Sequence, residues 1–239
     1  MQWLDLSLAA PAENVACDEA LLDLCEGGAA HEILRFWEST AHFVVPGYGN
    51  KVQSEVNVEA CQRDGVPILR RCTGGGAVLQ GPGCLNYALA LRIADRPELE
   101  NITSANCHIM QRNCAAISKL LGERCDVEGY TDLALKGRKF SGNSQRRKRT
   151  HLLFHGTVLL NFDLTLIDRY LRLPSRQPEY RKSRSHTDFL RNIGAPATEL
   201  KCALAEEWKV AKKSFKLPDE PLRTLIRSRY ARDEWNLKF

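Results

Sequence analysis

Tyr130-Thr131-Asp132-Leu133-Ala134-Leu135-Lys136-Gly137-Arg138-Lys139-Phe140-Ser141-Gly142-Asn143-Ser144 reads as two strands joined by a two-residue turn at Lys136-Gly137. With that turn, Leu135 opposes Arg138, Ala134 opposes Lys139, Leu133 opposes Phe140 and Asp132 opposes Ser141. Opposed residues share a sheet face. The expected hairpin therefore sets Asp132, Ala134, Lys139 and Ser141 on one face and Leu133, Leu135 and Phe140 on the other. The apolar face belongs to a core. The other face makes neighbours of a carboxylate and an ammonium, either as a weak cross-strand ion pair or as a site where Lys139 meets a negatively charged reacting group.

Working outward, Leu85, Tyr87, Leu89 and Leu91 alternate with smaller or polar residues, the period of a strand. Further strands are expected at 33–37, 43–45, 66–70 and 152–161. Helical spacing marks 14–28, with Asn14 as cap and Gly27-Gly28 as stop, and also 55–63 and 104–121. After residue 164 the pattern is helical again, over 164–171, 198–212 and 220–232. Hairpins and helices are mixed along the chain, which argues for an α+β fold with a mostly antiparallel sheet flanked by helices.

Upstream of the hairpin lies Arg70-Arg71-Cys72-Thr73-Gly74-Gly75-Gly76-Ala77-Val78-Leu79-Gln80. Three glycines let backbone amides approach a ligand closely. The arginines add fixed charge and planar donors suited to phosphate or carboxylate. The loop lacks the Gly-Lys-Ser/Thr of a P-loop and the spacing of a dinucleotide fingerprint. Downstream, His155-Gly156-Thr157 interrupts an apolar strand. A lone histidine there is ordinarily a hydrogen-bonded core residue, and the glycine beside it permits a close approach.

The chain has 239 residues, 44% apolar and 26% charged, with a net charge of +5. That is globular composition, with no run of the roughly 18 apolar residues a membrane span needs. No Lys or Arg precedes Arg35, whereas seven acids do. A secretory or transit peptide wants the reverse, so the expectation is a cytoplasmic protein. Nine cysteines without a C-x-x-C pair are then expected as reduced thiols. Residues 133–150 hold seven Lys or Arg and no acid. Only Phe140 interrupts that run, so it lacks the stacking aromatics of a nucleic-acid binder.

These motifs together resemble lipoate–protein ligase A, of the biotin/lipoate protein ligase superfamily. The resemblance rests on Asn14-Val15-Ala16-Cys17-Asp18-Glu19-Ala20-Leu21-Leu22, Leu34-Arg35-Phe36-Trp37, Arg70 to Leu79 with Leu85-Asn86-Tyr87, Gly137 to Gln145, and His155-Gly156-Thr157. They occur in the family's order and span roughly residues 1–195. The resemblance implies a fold like the class II biotinyl/lipoyl synthetases, and a single catalytic domain over 1–239 without the C-terminal accessory domain of two-domain ligases. It also implies a reaction in which lipoate or octanoate and magnesium-ATP give an acyl-adenylate. The acyl group then passes to a lysine of a lipoyl carrier domain, such as those of 2-oxoacid dehydrogenase acyltransferase subunits or the glycine-cleavage carrier protein. A separate accessory subunit is a possible further partner; neither nucleic acid nor membrane is expected.

By the same resemblance, Lys139 is the catalytic residue and contacts acyl carbonyl and phosphate. Arg71, Gly75, Gly76, Ala77, Val78 and Leu79 hold the nucleotide. Arg70, Gly74, His155 and Gly156 bind substrate, and Asp132 lies near the magnesium and phosphates. Two departures stand out. Gln80 replaces a usual His, and Tyr130-Thr131 replaces a usual Arg-Asn before Asp132. The alternative is an octanoyl- or lipoyltransferase that draws on an acyl carrier protein through a thioester on Cys125, which precedes the Asp132 strand. No adjacent base is evident there to activate the thiol.

Overall fold

In chain order the elements are β1 (Gln2–Asp5), α1 (Pro11–Glu26), β2 (Ile33–Trp37), β3 (Phe43–Val45), α2 (Val52–Glu55) and α3 (Val58–Asp64). They continue with β4 (Val78–Gln80), β5 (Cys84–Arg92), α4 (Ile102–Leu121), β6 (Asp126–Glu128), β7 (Asp132–Leu135), β8 (Arg138–Arg147) and β9 (His151–Leu159). The last third holds α5 (Thr165–Tyr170), α6 (His186–Phe189), α7 (Ala197–Glu207), α8 (Asp219–Leu225), a π-helical turn at Ile226–Tyr230, and α9 (Asp233–Asn236). This is a computed structural model, and it describes residues 1–211 and 215–239. The expected helix over 198–212 ends at Glu207, and residue 212 lies outside the described residues.

Seven strands form one sheet in the order β1-β2-β5-β9-β8-β7-β6, and β3 pairs with β4 in a small second sheet. Among the described residues, only β1 and β2 run parallel in the large sheet, and every other pairing in it is antiparallel. The fold is thus α+β with a mostly antiparallel sheet, as expected. Strand alternation divides the sheet into two faces. Leu34, Phe36, Leu85, Tyr87, Leu89 and Phe154 pack beneath α4 and α7. Ile33, Trp37 and Ala90 face α1 and the C-terminal helices. The site described below lies on the α1 face.

Three local expectations are corrected. Helix α1 begins at Pro11, whose missing N–H costs nothing at a first helical position. Asn14 is therefore not its cap; its amide instead bridges Leu8 and the Arg35 guanidinium. The helix over 55–63 is broken because Val56 is extended, and Asn57 starts α3 afresh by accepting from the Ala60 amide. Val66 to Arg70 forms no ladder, only a bridge between Val44 and Ile68.

The hairpin carries the fourth correction. Lys136-Gly137 is the turn, and Leu135–Arg138 and Ala134–Lys139 oppose each other as expected. Phe140 is then an extra residue, so that Leu133 opposes Ser141 and Asp132 opposes Gly142. Such a bulge shifts the register by one. Ser141 consequently pairs with Val158 on the α4 side, and Gly142 takes its place beside the charged pair. Phe140 remains fully buried in the α4-side core.

Candidate active site

A cavity of about 950 Å³ opens between the sheet's α1 face, the glycine loop and the segment 172–181. On the sheet side its floor is a row of mutually opposed residues running Trp37, Asn86, Thr157, Gly142 and Asp132, from β2 to β7. At the β7 end, Lys139 Nζ lies 2.8 Å from Asp132 Oδ1. Gly142 makes this possible: a Cβ there would sit 2.9 Å from that ammonium. The second carboxylate oxygen accepts from the Tyr180 hydroxyl at 2.8 Å. Burial, followed by the Asp132 charge, pushes the Tyr180 phenol far above its usual range, so it stays a donor.

The glycine loop is wrapped around the guanidinium of Arg71. Arg71 Nη2 donates to the carbonyls of Gly74 and Gly76 at 2.5 and 2.9 Å, and Nη1 to Val45 at 2.9 Å. Ser144 on β8 adds a bond to the Gly74 carbonyl at 2.9 Å. With carbonyls committed inward, the amides of Gly74, Gly75 and Gly76 donate to no acceptor among the described residues. A run of such free amides is an anion-binding surface. Glu55, 5% exposed, ends the loop: it accepts from the Ala77 amide and from Ser175 of the facing segment. Burial lowers the Arg71 pKa to about 10, so it is charged at neutral pH.

Arg70, expected at the substrate, is elsewhere. It is fully buried and absent from the cavity wall. Its guanidinium donates to the carbonyls of Gly47, Tyr48, Asn50, Trp235 and Lys238. It ties the base of the glycine loop to the loop 47–50 and to the C-terminal tail. Those acceptors lie 20 or more residues away, which spacing along the chain could not reveal.

His155 lines the cavity and completes a buried relay. Its Nδ1 lies 2.9 Å from Asp18 Oδ2, and its Nε2 lies 2.7 Å from the Thr73 hydroxyl. Asp18 also meets Arg35 at 2.7 Å. A carboxylate only accepts, so Nδ1 carries a proton. Thr73 in turn accepts from Arg71 Nε at 3.0 Å, which links the relay to the glycine loop. Burial alone would raise the Asp18 pKa; the hydrogen bond from His155 and the Arg35 charge reverse that and hold it below its ordinary value. The reason for Gly156 is corrected. Its backbone lines the cavity, but a Cβ there would lie 1.6 Å from Asn143 Oδ1, so the glycine makes room for protein rather than for ligand.

Lys139, Asp132, Arg71, His155, Gly156 and residues 74–79 are thus brought to one cavity, and Arg70 is not. Glu55 and Asp18 line it too, and Tyr180 reaches it through Asp132, none of them having been assigned a role from the sequence. Asp18 sits within a quoted motif, but its partner His155 is 137 residues away. The donor set does not fit a resident magnesium ion. Both oxygens of Asp132 are engaged, and among the described residues no three potential ligands gather. Cys125 is also outside the cavity. It is 4% exposed beside a separate surface hollow, and burial raises its pKa to about 11. None of the nine cysteines lines the large cavity.

A family model described as "Lipoyl protein ligase A/B catalytic domain" matches residues 10–213. Octanoyltransferase LipM of Brevibacillus brevis is 28% identical over 268 residues, covering 95% of this chain and 95% of that protein. "Probable lipoate-protein ligase A" of Mycoplasma pneumoniae is 31% identical over 163 residues, covering 68% of this chain and 46% of that one. A crystal structure of lipoate-protein ligase A bound with ATP superimposes with a TM-score of 0.84 at 22% identity, covering 99% of this chain and 98% of that one. Among the described residues, no helix is long and apolar enough to cross a membrane.

Proposed function

Because the chain belongs to the lipoyl protein ligase A/B catalytic family, a family of lipoate ligases and octanoyltransferases, we propose that it is an ATP-dependent lipoate–protein ligase. Residues 1–239 act as a single catalytic domain. In the first step a lipoate carboxylate oxygen attacks the α-phosphorus of ATP, and the bond to pyrophosphate breaks. In the second, a carrier lysine amine attacks the acyl carbonyl, and AMP leaves. Negative charge grows on the phosphate oxygens in the first step, and on the acyl carbonyl oxygen and the departing AMP phosphate in the second.

The residues suit that demand. The amides of Gly74 to Gly76, which meet no acceptor among the described residues, form a donor set for phosphate, and Ala77, Val78 and Leu79 continue the cavity wall. Lys139 supplies the charge nearest the reacting oxygens. Fixed donors aimed where charge develops are commonly the largest contribution to catalysis. Asp132 and Tyr180 hold the lysine in place. His155 acts through Thr73 on the loop. The observation that carries the reading is a cavity with a held lysine and a free-amide loop but no cysteine in its wall. ATP supplies the activation that a thioester would otherwise provide.

The experiment is lipoate-dependent exchange of pyrophosphate into ATP, with and without an accessory subunit, compared with octanoate and biotin. Exchange with lipoate or octanoate supports the ligase. The Brevibacillus relative favours a second reading, octanoyl transfer from a carrier protein. No exchange, together with carrier octanoylation and an octanoyl mass increment on the enzyme, decides for the transferase.

A further inference from the structure

The carboxylate and imidazole groups of the cavity wall are Asp18, Glu55, Asp132, His155 and His186. All but the last are engaged at every acceptor atom. The oxygens of Asp18 meet Arg35 and His155, those of Glu55 meet Ala77 and Ser175, and those of Asp132 meet Lys139 and Tyr180. His155 donates to Asp18 and accepts from Thr73. His186 differs. Its Nδ1 lies 2.7 Å from Asp168 Oδ1, and its Nε2 meets no partner among the described residues. That nitrogen is not one of the fully buried unpaired atoms, so it keeps accessible surface although the residue is only 6% exposed.

The partner fixes the tautomer. A carboxylate only accepts, so Nδ1 carries the proton and Nε2 holds a lone pair. Burial holds the His186 pKa below its ordinary value. The Asp168 hydrogen bond and charge pull it up, and the Arg181 and Lys139 charges push it further down. These are the charged groups that face the ring: Asp168 from α5, Arg181 from the short turn Glu179–Arg181, and Lys139 from β8. The imidazole is therefore uncharged at neutral pH and can accept a proton. Its position beside the lysine is built by the backbone. The segment that ends α6 lies along β8: Leu190 bridges Lys139 in parallel, and the Arg191 amide donates to the Lys139 carbonyl at 2.9 Å. Arg138 donates to the carbonyls of Thr187 and Leu190. His186 and Lys139 thus enter one cavity from adjoining elements.

We propose that His186 Nε2, with Asp168 orienting the ring, takes the proton that the carrier lysine's amine sheds as it attacks the acyl carbonyl. The neutral amine nitrogen bonds to the acyl carbon. The bond from that carbon to the leaving oxygen or sulfur breaks, and the leaving atom keeps the electron pair. The extra proton on nitrogen passes to Nε2 and then to solvent. His186 is a catalytic residue here, and Asp168 a positioning residue. The inference takes from the proposed function only that a carrier amine attacks an acyl group held at Lys139, a step common to the ligase and transferase readings.

The test is acyl transfer to a lipoyl carrier domain from two prepared donors, lipoyl-AMP and an octanoyl carrier-protein thioester, with no ATP present. His186→Asn keeps an N–H for Asp168 and has no basic nitrogen. It is expected to lower kcat/KM for the carrier by about 100-fold, with an unchanged melting temperature. The pH profile separates chemistry from packing. In wild type, kcat/KM should fall by about tenfold per pH unit as the carrier amine protonates, and by about 100-fold per unit once His186 protonates as well. The variant should keep the shallower slope throughout. Asp168→Asn removes a charge that raises the His186 pKa, so the break should move to lower pH. Transfer by a folded His186→Asn within threefold of wild type, or a break at the same pH in wild type and both variants, overturns the proposal. A wild-type enzyme that transfers from the thioester alone loses the ligase reading and keeps this one; use of neither donor overturns both.

Discussion

Lys139 Nζ and Asp132 Oδ1 lie 2.8 Å apart across a hairpin whose register has slipped by one residue at Phe140. The slip does not part them. It exchanges Ser141 for Gly142 between them, and so opens the space that the lysine fills.

Removing the ammonium should leave the fold intact, because its side chain is 25% exposed and, among the described residues, bonded only to Asp132. Lys139→Ala is expected to lower kcat for carrier lipoylation by about 100- to 1,000-fold, with an unchanged melting temperature. A folded variant within threefold of wild type removes Lys139 from the chemistry.

Gly142→Ala tests the same pair from the backbone side. The new methyl meets a flexible ammonium rather than main chain, so the protein should fold and Lys139 should swing away. A kcat loss of about tenfold or more, with stability kept within about 1 kcal/mol, is expected from steady-state kinetics and urea titration.

Arg70 is a stability residue by its contacts. Arg70→Met strands buried carbonyls in the 47–50 loop and the tail, and is expected to cost at least about 3 kcal/mol. The urea midpoint measures it. Arg70→Lys should rescue only part, since a point charge cannot reach acceptors spread around a planar fork.

Cys125→Ser should leave carrier lipoylation within about twofold of wild type, because burial keeps its thiol protonated at neutral pH. In native protein, iodoacetamide should label the exposed Cys107 and Cys202 well before Cys125. Rapid loss of activity on labelling Cys125 alone would falsify its exclusion from catalysis.

Asp18 predicts an acid limb. Its pKa is depressed in the folded protein, so its contribution is fully present above the ordinary carboxylate value, about pH 4. It is lost as pH falls through the lower folded value. Asp18→Asn should be less stable at pH 7 and should show a flatter stability curve below pH 4 in urea titrations.

How much of this could be read beforehand follows from distance along the chain. The turn at Lys136-Gly137 and the approach of Lys139 to Asp132 are local and were legible. The bulge was not, because Phe140 is apolar and fits the simple alternation. The four-residue strand β1 pairs with β2 through residues about 30 positions away and carries too short a pattern to register. The Asp18–His155 bond and the row from Trp37 to Asp132 exist only once distant strands are laid side by side. Arg70 and Arg71 are adjacent and chemically identical, so only the fold could separate their partners.

Those two arginines share one further property. Their hydrogen atoms are spent mostly on carbonyl dipoles, and among the described residues neither forms an ion pair with a carboxylate. Dipoles satisfy geometry without cancelling charge, and both guanidiniums are ionised at neutral pH. The glycine loop that follows them is therefore biased toward a positive potential, offset in part by the Glu55 carboxylate at its end, and an arriving anion can lower that potential without touching either side chain. Such a field acts during approach. The association rate of a polyphosphate ligand should fall as ionic strength rises, and the slope should persist after exposed lysines at the rim are neutralised.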